Sequence, residues 1–160
     1  MRTLILMVGT PASGKTTFAN ELGDKFLIPV VSSDLVREQL YGDESIQGNP
    51  EEVFDEVYRW VRGYLLTGAC ILDATHCSRW NRWAAVAKTC PDKVIYIIMN
   101  QDIEKAKKQN AARERKVPDN VIDRMAKNLS REFPKSNECY NLHIYNYDDP
   151  TLLDVLKNIK

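Results

Sequence analysis

The chain is poor in histidine and carries no paired-cysteine motif. His76 and His143 are its only histidines, and Cys70, Cys77, Cys90 and Cys139 include no C-x-x-C. Neither histidine stands at zinc-ligand spacing from a cysteine, so the thiols read as reduced packing residues. Net charge is missing too, because 22 Lys+Arg balance 22 Asp+Glu. That argues against a protein that coats nucleic acid by bulk electrostatics and leaves room for a local basic patch. No apolar run approaches the roughly 20 residues that span a bilayer. The N-terminus enters an apolar stretch directly, so no signal peptide is expected, and the protein should be soluble and cytoplasmic. Internal repeats and low-complexity tracts are absent. With 160 residues, 44% hydrophobic and 28% charged, the composition is that of one globular domain spanning 1–160.

What is present begins at Gly9-Thr10-Pro11-Ala12-Ser13-Gly14-Lys15-Thr16, a match to G-x-x-x-x-G-K-[ST]. The apolar run Leu4 to Val8 precedes it, and Thr16 to Leu22 can continue it as a helix. Strand, glycine loop and helix together aim backbone N–H groups and a helix N-terminus at an anion. Gly9, Ala12, Ser13, Gly14, Lys15, Thr16 and Thr17 are therefore the candidate nucleotide-binding residues. Lys15 is expected at the β- and γ-phosphates and the Thr16 hydroxyl on Mg²⁺. Ser13 is expected to offer its N–H rather than its hydroxyl.

Apolar runs at Thr3–Val8, Phe26–Val31, Ala69–Leu72, Val94–Met99 and Leu142–Tyr145 alternate with helical patterns. Several are continuously apolar, as parallel strands covered on both faces require. The expectation is a three-layer α/β/α P-loop NTPase/kinase fold with a mostly parallel five-stranded sheet. Val53 to Leu65 and Val121 to Phe133 recur at helical spacing. Pro118 and Pro150 read as first-turn prolines, and a last helix should bury Leu152, Leu153, Leu156 and Ile159. The stretch 43–52 reads as a loop.

A GTPase needs an N-K-x-D segment, which is absent, and motors need a longer chain. A small kinase needs a carboxylate beside the attacking hydroxyl and arginines for the transferring phosphoryl group. Asp34 follows the second strand and Arg37 lies one helical turn on, so an acid could deprotonate a hydroxyl while a guanidinium grips an anionic acceptor. The same Ser32-Ser33-Asp34 could equally supply a helix N-cap. Asp73, closing the third strand, is the candidate second partner for Mg²⁺ beside Thr16. His76 is either an orienting or an exposed residue, with catalytic base as the lesser alternative. Lys105, Lys107 and Lys108 suit a solvated helix face. Arg113 and Arg115 sit at a junction of two helices, where a small helical lid over about 108–118 would close on the phosphates.

Together these segments resemble the 5′-hydroxyl polynucleotide kinase family, the P-loop kinase module of phage and bacterial end-healing enzymes. The resemblance runs through the phosphate loop, Val31-Ser32-Ser33-Asp34-Leu35-Val36-Arg37, Leu72-Asp73-Ala74-Thr75-His76 and Asn110 to Pro118. It implies that Asp34 is the general base for a 5′-hydroxyl and Arg37 a contact to the acceptor's 3′-side phosphate. It also implies that Arg113, with Arg115 assisting, stabilises the transferring phosphoryl group, and that Thr75, Val117 and Pro118 line the terminal nucleoside's pocket. Gln109 stands where family lids carry their earlier arginine, and His76 where they carry asparagine. No D-x-D-G-T phosphatase signature accompanies the kinase motifs. The implied activity is ATP-dependent phosphorylation of RNA or DNA 5′-hydroxyl ends with Mg²⁺, in a bacterial or phage cytoplasm. A small-molecule kinase on the same scaffold, or a nucleotide-binding switch without transferase activity, are the competing readings.

Overall fold

Six consecutive buried residues, Thr3–Val8, form strand β1 at the centre of a five-stranded sheet. A strand covered on both faces has no polar side to show, which is why the run is unbroken. The structure, a computed structural model, describes residues 1–159. After β1 come helix α1 (Lys15–Phe26), β2 (Val30–Ser32), α2 (Ser33–Tyr41), α3 (Pro50–Leu65) and β3 (Ala69–Asp73). Then follow α4 (Arg79–Thr89), β4 (Lys93–Ile98), α5 (Ile103–Ala111), α6 (Asp119–Arg131), β5 (Leu142–Asn146) and α7 (Leu152–Lys157). The strand order is β2-β3-β1-β4-β5, and every pairing is parallel.

Alternation along the strands sorts the core into two layers. Leu4, Leu6 and Val8 of β1 pack with Val36 of α2, Val53, Val57 and Val61 of α3, Ala85 of α4 and Leu129 of α6. Ile5 and Met7 face the other way, onto Ala19 and Leu22 of α1 and Leu152 and Leu156 of α7. The result is the expected three-layer α/β/α arrangement, with all strand C-termini on one edge.

Several boundaries differ from the sequence expectation. The apolar run from Phe26 is not one strand: α1 runs to Phe26, and Leu27 caps it in the left-handed region at φ 55°. Only Val30–Ser32 pairs with the sheet. The predicted loop over 43–52 ends early, because Asn49 caps α3 through the Glu51 N–H and Pro50 is its first residue. Pro118 stands just before α6 rather than in its first turn. Leu153 faces solvent, while Leu152 and Leu156 are buried.

The most buried charge is Arg82 of α4, fully enclosed. Its guanidinium donates to both Glu138 oxygens at 2.9 and 2.8 Å, to the His76 carbonyl at 3.0 Å and to the Glu132 carbonyl. A buried guanidinium persists only when paired and hydrogen-bonded in this way. The network ties α4 to the segment after α6 and to the loop leaving β3.

Candidate active site

The loop from Gly9 to Gly14 connects β1 to α1. Gly14 is the N-cap of α1 at φ 89°, a left-handed conformation that disfavours a side chain, and Ala12 shares that region at φ 61°. At Gly9 the constraint is space, since a Cβ would lie 2.8 Å from Ser13 Oγ and 3.0 Å from Met99 Cβ. α1 has no side-chain cap and no acid in its first turn, so its N-terminal N–H groups face outward as an anion site. Lys15 is buried, and its Nζ donates to the Thr10 carbonyl at 2.8 Å. Burial pushes its amine below the ordinary lysine range, while the Asp73 carboxylate pulls it back up. Ser13 Oγ is buried without a hydrogen-bond partner. A curled lysine, an orphaned hydroxyl and uncapped N–H groups are the donor set of a phosphate cradle.

Asp73 closes β3 and is buried; its Oδ2 accepts the Thr16 hydroxyl at 2.7 Å. Burial raises its carboxyl above the usual range, opposed by the Thr16 hydrogen bond and the Lys15 charge. β2 pairs with β3 so that Ser32 lies opposite Asp73. The helix that follows β2 is capped by Ser32, whose Oγ accepts the Asp34 N–H at 3.2 Å. The capping task therefore falls to Ser32, and the Asp34 carboxylate is left free. Its Oδ1 accepts from Arg37 Nη1 at 3.2 Å, and its Oδ2 forms an ion pair with Arg115 Nη1 at 2.9 Å. Arg37 Nε is buried and unpaired. After burial, the charges of Asp73, Arg113 and Asp34 also act on the Lys15 amine.

The predicted residues thus divide. Lys15, Thr16, Asp73, Asp34, Arg37 and Arg115 are joined by direct bonds or shared charge, and Arg113, though exposed, acts on Lys15. Thr75 is tied to the loop because its carbonyl accepts the Gly9 N–H at 3.0 Å. Val117 and Pro118 lie at the root of the α5–α6 connector. There the buried Asn110 side chain accepts the Val117 N–H at 2.9 Å and donates to its carbonyl at 2.6 Å. Sequence reasoning missed Asn110, whose only signal is its place seven residues before Val117. It missed a second feature as well. A cavity of about 320 Å³ opens beside the loop between Ser13, Phe18, Asn100, Gln109 and Tyr147. A larger groove of about 770 Å³ runs along α3 between Glu52, Asp55 and Lys88, and no loop residue lines it.

Of the two roles expected for His76, its burial leaves the orienting one. The residue is 2% exposed, not on the surface, and its backbone is left-handed at φ 48°. Nδ1 is 2.9 Å from the Met7 carbonyl, which makes it the protonated nitrogen, and Nε2 is buried without a partner. Burial pulls its pKa down to about 4. The ring is neutral near pH 7 and pins the loop after β3 to β1.

The same fold occurs in solved structures, kinases among them. A sugar kinase from Janibacter sp. HTCC2649 gives a TM-score of 0.66 at 18% identity, covering 98% of this chain and 90% of that one. A gluconokinase from Sinorhizobium meliloti 1021 gives 0.63 at 11% identity, over 98% and 88%. Chaetomium thermophilum Kti12, in complex with ADP-AlF3, gives 0.62 at 19% identity, over 96% and 95%. At these identities the likeness is one of fold, and that fold is the P-loop kinase fold. No curated protein matches the sequence. Residues 4–132, from β1 to the end of α6, match the AAA domain family AAA_33, and the chain belongs to that family.

Proposed function

We propose that the chain is an ATP-dependent phosphotransferase acting on the 5′-hydroxyl end of a polynucleotide. The observation that carries this reading is the Asp34 carboxylate, held on one oxygen by Arg37 and on the other by Arg115. A base flanked by two guanidiniums suits an acceptor whose hydroxyl sits beside an anion, as a strand's terminal hydroxyl sits beside its first phosphate. A neutral acceptor would need no such flank.

The N–H groups of Gly14, Lys15, Thr16 and Thr17, with the Lys15 amine, hold the triphosphate of ATP, or of another nucleoside triphosphate, Lys15 turning from the Thr10 carbonyl to the β- and γ-phosphates. Thr16 and Asp73 fit Mg²⁺, since the hydroxyl hydrogen points at the carboxylate and the oxygen lone pairs remain for a hard cation. Bound there, Mg²⁺ would neutralise charge on the phosphate oxygens. Asp34 takes the proton of the 5′-hydroxyl, whose oxygen forms the new bond to the γ-phosphorus. The bond to the bridging oxygen breaks, and ADP leaves. Arg113, whose charge reaches Lys15, serves the transferring phosphoryl group, and Arg115 serves the acceptor side as part of the lid. Thr75, Val117 and Pro118 receive the terminal nucleoside.

The sugar kinases among the fold's neighbours favour a second reading, phosphorylation of a small-molecule hydroxyl. The separating experiment follows transfer from labelled ATP to a 5′-hydroxyl oligonucleotide, to its 5′-phosphorylated twin and to free sugars and nucleosides. Transfer to the first alone is expected; transfer to a sugar but not to the oligonucleotide would replace the proposal with the second reading. Asp34→Ala should abolish transfer and spare ATP binding, whereas Lys15→Ala should weaken both.

A further inference from the structure

We propose that the exposed Trp80–Trp83 pair on α4 is a stacking platform for the single strand that leads away from the acceptor cleft. The inference rests on the polynucleotide reading above and extends it to the strand beyond the terminal nucleotide.

Trp80 is 68% and Trp83 52% exposed. Tryptophan is ordinarily well buried, so two neighbouring indoles in solvent ask for an occupant. Their centroids are 4.8 Å apart with planes tilted by 31°, which gives a continuous aromatic surface. The helix cannot roll to hide them. Its opposite side is locked by the buried Arg82, bonded to Glu138 and to the His76 and Glu132 carbonyls.

Position and charge identify the occupant. α4 begins after its Ser78 cap, on the chain segment that leaves Asp73 and Thr75 at the carboxyl edge of the sheet. It lies in the same layer as α2, which carries Asp34, since Val36 and Ala85 share one core cluster. The helix exposes Arg79 and Lys88 and carries no acidic residue, its third cation, Arg82, being buried against Glu138. The Arg79 backbone N–H, not its guanidinium, is held by the Glu132 carboxylate at 3.0 Å. Aromatic surface fringed by cations matches single-stranded nucleic acid, where bases stack and phosphates seek positive charge. A second copy of the chain fits less well, because two such faces meeting about a twofold axis would bring like charges together.

The test compares wild type with Trp80→Ala/Trp83→Ala and with Trp80→Phe/Trp83→Phe. The acceptors are a 5′-hydroxyl strand of about ten nucleotides and a nucleoside 3′-monophosphate. Fluorescence quenching by the strand without ATP is measured alongside. The alanine pair should raise KM for the strand about tenfold, or about 1.4 kcal/mol, with the KM for ATP, kcat and the mononucleotide unchanged. The phenylalanine pair should stay near wild type. An unchanged KM for the strand in an enzyme that phosphorylates it overturns the platform alone, as does a variant whose only effect is to dissociate a dimer. A wild type that neither binds nor phosphorylates strands overturns both proposals. Binding and quenching without transfer would retain the platform and sink the transferase reading.

Discussion

Replacing His76 by asparagine should flatten the acid limb of the stability profile. The wild-type ring is buried, its Nε2 has no partner, and its pKa falls from 6.5 to about 4. Above pH 6.5 the ring is neutral whether folded or unfolded, and stability does not depend on it. As pH falls below 6.5 the unfolded chain takes up a proton that the folded chain refuses until about pH 4, so stability drops across that window and then levels. The gap between the two values corresponds to about 3 kcal/mol. An asparagine amide can still donate to the Met7 carbonyl and has nothing to titrate. Urea unfolding of both proteins at pH 7.5 and at about pH 4.5 measures the difference directly. The wild type should lose about 2–3 kcal/mol more than the variant between the two conditions. Parallel losses would refute the assignment of His76 as a ring kept neutral by burial.

Arg82→Met should destabilise the fold by about 3–5 kcal/mol, because it strands the Glu138 carboxylate in the interior, and Glu138→Gln in the same chain should recover part of that in denaturant melts. Asp73→Asn keeps an acceptor for the Thr16 hydroxyl but removes the charge, so the Mg²⁺ concentration for half-maximal transfer should rise about 10- to 100-fold while the melting temperature of the free protein stays within a few degrees. Gly23→Ala should cost about 1–3 kcal/mol, since its Cβ would lie 2.6 Å from Val30 Cγ2 and 3.0 Å from the Ile28 carbonyl; Val30→Ala in the same chain should return some of it in thermal melts.

What could be read in advance followed from unambiguous local patterns. β1 was legible to the residue because six buried positions in a row have one explanation in a covered parallel sheet. The phosphate loop was legible because its glycines answer to backbone geometry rather than to tertiary context. β2 was over-extended because a helix end and a strand share one apolar run, and the left-handed Leu27 between them carries no turn residue to mark it. α4 escaped notice because its periodicity is inverted, with an arginine buried and two tryptophans exposed. Arg82 and Glu138 meet across 56 positions, a separation at which sequence offers no pairing signal. The cavity beside the loop is built from three separate stretches of chain, at residues 13–21, 99–109 and 147, and only the folded chain brings them together. Arg113 and Arg115 lie in an irregular segment, so their spacing could not tell which would face Asp34.

In the proposed reading, strand order keeps donor and acceptor groups apart while both serve one reaction. β3 lies between β1 and β2, so the strand that leads to Asp34 is two spacings, about 10 Å, from the strand that leads to Lys15. With β2 directly beside β1, the Asp34 carboxylate would compete with a bound phosphate for Lys15. At two spacings there is room for a hydroxyl to approach a phosphoryl group within about 3–3.5 Å with the base on its far side. The intervening strand fills the middle of that gap with Asp73, whose carboxyl is pushed up chiefly by burial, with a lesser push from Asp34, and drawn down by the Thr16 hydroxyl and Lys15. Two acids on adjacent strand ends are tolerable only because Lys15, Arg37, Arg113 and Arg115 surround them. A chain with 22 charges of each sign thus gathers Lys15, Arg37 and Arg115 at the edge where, in the proposed reading, phosphates would sit.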